Sequence, residues 1–304
     1  MSTTRRRLGA LALAVGALIT LGACSSGDTG ETPLAEEQDL KVAVTSLPIN
    51  LDVLQNSAEG KILGPMQHVL EPLVKRDGTD FEPWLAESWE TPDDLTWVFN
   101  IRPDVTFSDG TTFTAEDARA SLQRLIDLNS PLAPLLSAVS SIEATDDATL
   151  TITTTSPLGT MLTTLSQILL GQAASIDDDA YWAAPIGTGP FVVDEWIADQ
   201  HLVLTRNDDY WGPATTLDSI TYIGMPEEAA RISALSTGEV DLIDSVSADS
   251  IPEIESLDSV VFDSVPSYGI QYIWFNNARE PFTDVRVRQA LWHALDLEQI
   301  VSDL

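Results

Sequence analysis

The sequence predicts a mixed α/β protein. Segments with strand-like and helix-like hydrophobic periodicity are interleaved along the chain, and many of the strands come in neighbouring pairs. Hydrophobic residues make up 44% of the 304 residues, and eight Trp and eight Phe supply enough apolar area for a core. Paired strands argue against a regular βαβ repeat, and no internal repeat is visible.

Local patterns justify the individual elements. Residues 96–102 alternate, with their aromatic and aliphatic side chains on one face, which is typical of a strand. Thr114 followed by Asp117 forms a capping box and predicts a helix from residue 115. Two segments in which polar and apolar residues alternate flank Asp146, and they predict a hairpin. The same reasoning predicts strands at 41–45, 191–196, 202–204, 220–223, 240–243 and 268–275, and helices at 60–70, 158–170, 227–235 and from 285 onward, after Asp284 as the N-cap.

Charge excludes one class of function. The chain has 47 acidic and 15 basic residues, a formal net charge of −32. Such a surface repels phosphate backbones, which argues against nucleic-acid binding. One cysteine rules out a disulfide framework and any multi-cysteine metal site.

The first residues predict export and lipid attachment. A short basic segment ends at Arg7, and an apolar run of sixteen residues follows, shorter than the roughly 20 that span a bilayer. Small residues then precede Cys24, and this pattern resembles the lipobox of bacterial lipoproteins. We therefore expect a signal peptide at 1–23, lipidation of Cys24, and a flexible tether at 24–39 outside the cytoplasmic membrane. An ordinary secretory signal with a chance cysteine is the alternative.

No catalytic or metal constellation is evident in the sequence. The glycine-rich segment 187–190 lacks the lysine and the following helix of a phosphate-binding loop. The three histidines are scattered, and Asp177-Asp178-Asp179 lacks the glycine and closing glutamate of a calcium loop. A Gly-x-Ser-x-Gly nucleophile elbow is absent. The sequence therefore favours binding over catalysis, with no cofactor and no metal.

A family resemblance covers nearly the whole chain after the tether. Its most specific stretch runs from Trp97 to Ala118. The other matching stretches are 51–52, 70–74, 84–89, 187–191, 206–207, 210–212, 235–241, 275–277, 281–291 and 294–296. In these stretches the sequence is similar to the substrate-binding proteins of ABC importers, specifically family 5, the peptide, dipeptide and nickel type.

The resemblance implies a type II periplasmic-binding-protein fold with two lobes that close on an oligopeptide or similar solute. It implies lobe I at 40–265, with an inserted subdomain at about 60–183, and a crossover strand with the start of lobe II at 266–304. Family members are typically about 500 residues long, so we expect most of lobe II to be missing. Half of such a clamp cannot close, and its affinity should therefore collapse.

Three segments are expected to border the ligand cleft. Thr45, Ser46 and Leu47 end the first strand, where α/β sheets favour ligands. Ile186, Gly187, Thr188 and Gly189 form a turn whose backbone groups could meet a peptide. Tyr272 and Trp274 share one face of the crossover strand with Ile270. For each segment, a purely structural role is an equally good interpretation.

The resulting hypothesis is a lipid-anchored, extracytoplasmic solute receptor that is not an enzyme and hands its ligand to ABC permease subunits. A secreted, lipid-anchored glycosidase or esterase is the first alternative, and an adhesive surface protein is the second. Neither alternative explains the ordered run of family-like stretches.

Overall fold

A computed structural model describes residues 38–56, 60–264 and 272–303 of the chain. The predicted signal peptide, Cys24 and nearly all of the tether lie outside the described residues. The strands are β1 (Asp39–Val44), β2 (Val74–Asp77), β3 (Asp80–Pro83), β4 (Ala86–Asp93), β5 (Thr96–Ile101), β6 (Val139–Asp146), β7 (Thr149–Thr154), β8 (Phe191–Ile197), β9 (His201–Arg206), β10 (Ser219–Gly224) and β11 (Leu242–Ile243). The α-helices are α1 (Gly60–Met66), α2 (Ala115–Asp127), α3 (Met161–Leu165), α4 (Glu228–Thr237), α5 (Ile251–Glu255), α6 (Val285–Ala294) and α7 (Leu297–Asp303).

The main sheet has five strands in the order β11-β1-β10-β9-β8. β1 is parallel to both of its neighbours, β10 and β11, whereas β8, β9 and β10 form an antiparallel meander. Both faces of β1 are covered: Val42 belongs to the large core, and Ala43 packs in a smaller cluster with Ala234 and Val240. The carboxyl ends of three parallel strands therefore meet at one edge of the sheet.

A second sheet is antiparallel throughout, in the order β4-β5-β7-β6. The predicted alternation in β5 and the predicted β6–β7 hairpin are both observed. Helix α2 packs against β6 and β7 with its apolar face, of which Ala118, Leu122 and Leu125 are fully buried. The capping box is present as well, because the Asp117 carboxylate accepts hydrogen bonds from the backbone N–H (2.8 Å) and the hydroxyl (2.9 Å) of Thr114.

Four predicted elements differ from the structure. The helix predicted at 60–70 ends at Met66. The helix predicted at 158–170 spans only Met161–Leu165, because the Leu170 N–H donates to the Glu71 carbonyl (3.0 Å). The strand predicted at 240–243 is reduced to β11, because the Glu239 and Val240 amides complete the carboxyl end of α4. In the strand predicted at 268–275, the described residues from 272 onward pair with no other strand of the described chain.

A buried ion pair joins the segment after β1 to α2. The Arg124 guanidinium donates to both oxygens of Asp52, at 3.0 and 2.8 Å, and both side chains are about nine-tenths buried. Asp52 also accepts hydrogen bonds from the Leu54 and Gln55 amides. This carboxylate therefore fixes the chain that leaves the main sheet.

Arg124→Ala should destabilise the fold by about 3–5 kcal/mol, because it leaves a buried carboxylate without its counter-charge. Urea unfolding followed by tryptophan fluorescence measures this loss. The matched control is Arg119→Ala on the same helix, whose partner Glu116 is half exposed and whose loss should cost about 1 kcal/mol or less. Equal losses in the two variants would contradict the structural role of the Arg124–Asp52 pair.

Candidate functional site

A cleft of about 510 Å³ lies between one face of the main sheet and helix α1. Residues from β1, β10 and β11, and from the segments after β1 and β11, form its floor and rim. Helix α1 and the two residues at 67 and 68 form its roof. The lining residues are Leu40, Val42, Val44, Thr45, Ser46, Gly60, Lys61, Gly64, Pro65, Gln67, His68, Tyr222, Leu242, Asp244 and Ser245.

The floor of the cleft is a row of side chains across three parallel strands. Val42 of β1 pairs in register with Tyr222 on one side and with Leu242 on the other. All three side chains line the cleft, as do Leu40 and Val44 on the same face of β1. Burial raises the pKa of Tyr222 to about 12, so its phenol is protonated near neutral pH and remains a hydrogen-bond donor.

The roof combines open space with polar groups. Gly60 and Gly64 lie one turn apart on α1, and a Cβ built on either would meet no atom within 4 Å. No packing therefore fills the space beside these glycines. Lys61 and His68 also line the roof. Burial, together with the nearby Lys75 ammonium, lowers the pKa of His68 below 6.5, which favours a neutral imidazole.

The rim lies where the parallel strands end. Thr45 and Ser46 follow β1 directly and are exposed, and Asp244 and Ser245 follow β11. Ligands of α/β proteins bind preferentially at this edge, because the chain leaves the sheet there and exposes backbone and side-chain polar groups. Lys61 on the roof and Asp244 on the rim carry opposite charges, and both line the same cleft.

The first predicted segment is only partly at this cleft. Thr45 and Ser46 line it, and their contact with ligand stays a prediction. Leu47 does not, because its side chain is 3% exposed and packs beside Gly224.

The second predicted segment, 186–189, does not line the cleft but lies behind its roof. A Cβ on Gly187 would be 1.8 Å from the Val69 carbonyl oxygen, so only glycine permits this close approach. The Gly189 N–H donates to the Val69 carbonyl (2.9 Å), and the Phe191 N–H donates to the His68 carbonyl (3.0 Å). The turn thus supports the backbone of His68.

The carbonyl oxygens of this turn are all bonded to other parts of the chain. They accept from the Tyr181 hydroxyl at Ile186, the Ser108 N–H at Gly187, the Trp211 indole at Thr188 and the Asn207 amide at Gly189. These bonds favour the structural interpretation of residues 186–189. Their contact with ligand stays a prediction.

A buried carboxylate, Glu71, holds the same region together. Glu71 is 1% exposed. Its Oε1 accepts from the Trp84 indole (2.7 Å) and the Tyr210 hydroxyl (2.8 Å). Its Oε2 accepts from the Thr188 hydroxyl (2.9 Å) and the Trp211 indole (3.0 Å). Four donors thus satisfy one buried charge.

Two cations surround this cluster of aromatic donors. The Lys75 ammonium lies 3.2 Å from the centroid of the Trp84 ring, and the Arg102 guanidinium lies 5.3 Å from that of Trp211. Burial lowers the pKa of Lys75, although the Glu71 and Glu82 carboxylates oppose that shift. Each of these cations lies over an indole ring whose N–H donates to Glu71, so positive charge lies close to the buried carboxylate.

The third predicted segment lies apart from the cleft. Tyr272 is 63% exposed and Trp274 is 84% exposed, with their ring centroids 5.3 Å apart. Neither ring is in the core, and neither lines the cleft. Ile270, their predicted neighbour, lies outside the described residues. A concavity at residues 292–298 is lined by that single segment, so no groups from different elements converge there.

Sequence reasoning missed several lining residues. His68 was one of three scattered histidines without metal-ligand spacing, and Lys61, Tyr222, Leu242 and Asp244 were not singled out. The alternation of Leu40, Val42 and Val44 and the glycines one turn apart were the available signals. Among the described residues, no group of three or more His, Cys, Asp or Glu could hold a metal ion, and no helix is long and apolar enough to cross a membrane.

Comparison with known proteins decides the family. The model of the bacterial extracellular solute-binding proteins, family 5 middle region, matches residues 80–304. The chain belongs to this family. The family 5 chain is 31% identical over 272 residues to heme-binding protein A of Haemophilus influenzae, covering 78% of this chain and 49% of that protein. It is 28% identical over 324 residues to the periplasmic oligopeptide-binding protein OppA of Escherichia coli K12, and this match covers 94% of this chain and 59% of OppA.

A solved structure agrees with the fold. The periplasmic binding protein DppA of Helicobacter pylori, in complex with the peptide STSA, superposes with a TM-score of 0.74 at 26% identity. The match covers 86% of this chain and 57% of that one. The predicted type II periplasmic-binding-protein fold is therefore confirmed, and the chain spans about half the length of the relatives that it matches. These matches give no support to a hydrolase.

Glu71→Gln should lower the free energy of unfolding by at least about 2 kcal/mol, because an amide nitrogen cannot accept from the donors that face it. It should also shift tryptophan emission to longer wavelength, because Trp84 and Trp211 both donate to this carboxylate. Urea unfolding and emission spectra measure the two effects. Glu87→Gln, exposed on β4, is the control and should stay within about 0.5 kcal/mol of wild type. A Glu71→Gln variant as stable as this control would refute the role of the carboxylate.

His68→Asn should weaken the dependence of stability on pH. The pKa of His68 is lowered in the folded state, so the unfolded chain binds more protons and stability falls as the pH drops through about 6.5. Unfolding free energies at about pH 7.5 and about pH 5.5 should therefore differ less in the variant than in wild type. His201→Asn on β9 is the control. An unchanged difference in His68→Asn would contradict burial of a neutral imidazole.

Proposed function

We propose that this family 5 protein is the extracytoplasmic, lipid-anchored substrate-binding component of an ABC importer. It captures an oligopeptide or similar small solute and delivers it to the permease subunits. The family match over residues 80–304 carries the proposal. The oligopeptide-binding protein of E. coli and the peptide complex from H. pylori favour a peptide among the possible solutes.

The cleft offers groups that suit a short peptide. Its floor of Val42, Tyr222 and Leu242 is largely apolar, with one phenol as donor. Lys61 and Asp244 match the two charges of a zwitterion. Thr45 and Ser46 add hydroxyl groups at the rim. A peptide would thus meet apolar and polar surface in one small volume.

Release to a permease requires a change of state. In a two-lobed receptor, ligand stabilises the closed form only through its differential affinity for that form. The main sheet takes β1 from the start of the described chain and its other strands from beyond residue 190. This arrangement supports a lobe I at 40–265 that is interrupted by a subdomain at about 60–183. The segment 266–304 would then lead to lobe II, on which closure depends.

The main experiment is calorimetric titration of the protein with both lobes present, using the tetrapeptide Ser-Thr-Ser-Ala, a mixed tetrapeptide library and hemin. We expect saturable binding of peptides at one site per chain. Binding of hemin without binding of peptides would contradict the proposed peptide ligand and indicate a receptor for another class of solute. Turnover of chromogenic glycosides or esters would overturn the assignment as a receptor.

Thr45→Trp should weaken peptide binding at least about tenfold, because an indole at the rim occupies space in the cleft. The melting temperature should stay close to that of wild type, since Thr45 is exposed. The control is Thr79→Trp in the β2–β3 turn, outside the lining of the cleft. Equal affinities in the two variants would exclude this cleft as the binding site.

Cys24→Ser should abolish membrane attachment if the anchor is a lipid on this thiol. Membrane fractionation and intact mass measurement of the wild-type protein and the variant test this directly. The wild-type chain should carry acyl groups on residue 24 after removal of residues 1–23. A wild-type chain that is exported without any lipid would show that the leader is an ordinary secretory signal.

A further inference from the structure

Arg231 on helix α4 is a buried cation whose Nη hydrogen bonds all go to backbone carbonyls. It is 2% exposed. Nη1 donates to the carbonyls of Met225 (2.8 Å) and Pro226 (2.9 Å), and Nη2 donates to that of Ser245 (3.1 Å). Its Nε has no acceptor within the described part of the chain. The guanidinium therefore binds and positions the backbone of these segments.

The three carbonyls belong to the two loops on either side of β1. Met225 and Pro226 directly follow β10, and Ser245 comes two residues after β11. β1 lies between β10 and β11 in the sheet, and its last carbonyl, at Val44, accepts from the Met225 N–H (2.8 Å). One side chain thus ties together the chain segments that leave the sheet at the rim of the cleft.

The rim at residue 245 needs such support. Ser245 has a φ of 56°, a left-handed conformation that costs energy for a residue other than glycine. Two residues further on, the Ser247 N–H (2.8 Å) and hydroxyl (3.0 Å) both donate to the Glu228 carboxylate of α4. Helix α4 therefore holds the segment 245–247 at two points. Asp244 and Ser245 line the cleft, whereas Arg231 does not.

Stability alone does not explain an arginine at this position. Removing a guanidinium from water is costly, and well-packed apolar residues often replace buried charges without loss of stability. The planar guanidinium instead offers several donors in a fixed geometry, which a lysine does not. Such a group is suited to holding two separate loops in one relative position.

From these contacts we propose that Arg231 is a positioning residue for the ligand cleft. It fixes the loops after β10 and β11, and thereby holds Asp244 and Ser245 where they meet the solute. The solute-binding part of this inference rests on the proposed function. Arg231 itself does not touch the solute.

The test uses Arg231→Ala in the full chain, with Arg119→Ala as the matched control. Hydrogen–deuterium exchange is followed at the Met225 and Ser247 amides and at the Phe99 and Leu150 amides of the second sheet. The variant should lose protection at least about tenfold at the first pair and keep it at the second. Millimolar methylguanidinium, which fits the space left by the side chain, should restore protection, whereas methylammonium should not.

Peptide affinity is measured in parallel with Ser-Thr-Ser-Ala. It should fall at least about tenfold in Arg231→Ala and recover with methylguanidinium. If wild type binds no peptide, the proposed ligand is wrong, and the exchange data alone decide whether Arg231 holds the rim. Unchanged exchange at Met225 and Ser247, or equal loss at all four amides, would overturn the proposal. So would unchanged peptide affinity despite local loss of protection.

Arg231→Lys serves if the alanine variant does not fold. It keeps the positive charge, but one ammonium cannot span both loops. It should therefore show the same local loss of protection in a folded chain. A lysine variant with wild-type protection at both amides would show that charge alone is sufficient, which contradicts the proposal.

Discussion

The buried carboxylate of Glu71 is the interaction on which the arrangement of this chain depends. A carboxylate removed from water is tolerated only when donors replace its hydration. Here one donor comes from position 84, and the other three come from positions 188, 210 and 211, more than 100 residues from Glu71 in the sequence. The charge is satisfied only when these separate segments are all in place. It therefore specifies one packing of the chain.

The consequences of this packing reach the cleft. Glu71 and its partner Thr188 hold the glycine turn against residues 68 and 69. That contact fixes the backbone of His68, which lines the roof of the cleft opposite the parallel strands. The glycine turn thus shapes the site without lining it. The family-like stretches that contain Glu71, Trp84, Thr188 and Trp211 meet at this one carboxylate.

Much of the fold could be predicted from local patterns. The alternation in β5 and the capping box of α2 are short-range signals, and each is observed. The lengths of α3 and β11 could not be predicted, because partners distant in the sequence decide them. Leu170 bonds to Glu71, and the amides after α4 complete that helix. The cleft was only partly predictable for the same reason. Thr45 and Ser46 could be predicted because they directly follow the first predicted strand. Tyr222 and Asp244 could not, because they lie at the cleft only through the pairing of β10 and β11 with β1.

The order of strands in the main sheet also determines when the fold can be completed. β1 opens the described chain, yet its two neighbours are β10 and β11, so that Lys41 bonds to Asp241 across 200 positions. Contacts between such distant positions form slowly, because a long loop must close first. As the polypeptide emerges from the ribosome, β1 has no partner until β10 has been synthesised at residues 219–224, and its second neighbour follows only at residues 242–243. The five-stranded sheet therefore cannot be completed before that point of translation, whereas every strand of the antiparallel sheet has been made by residue 154.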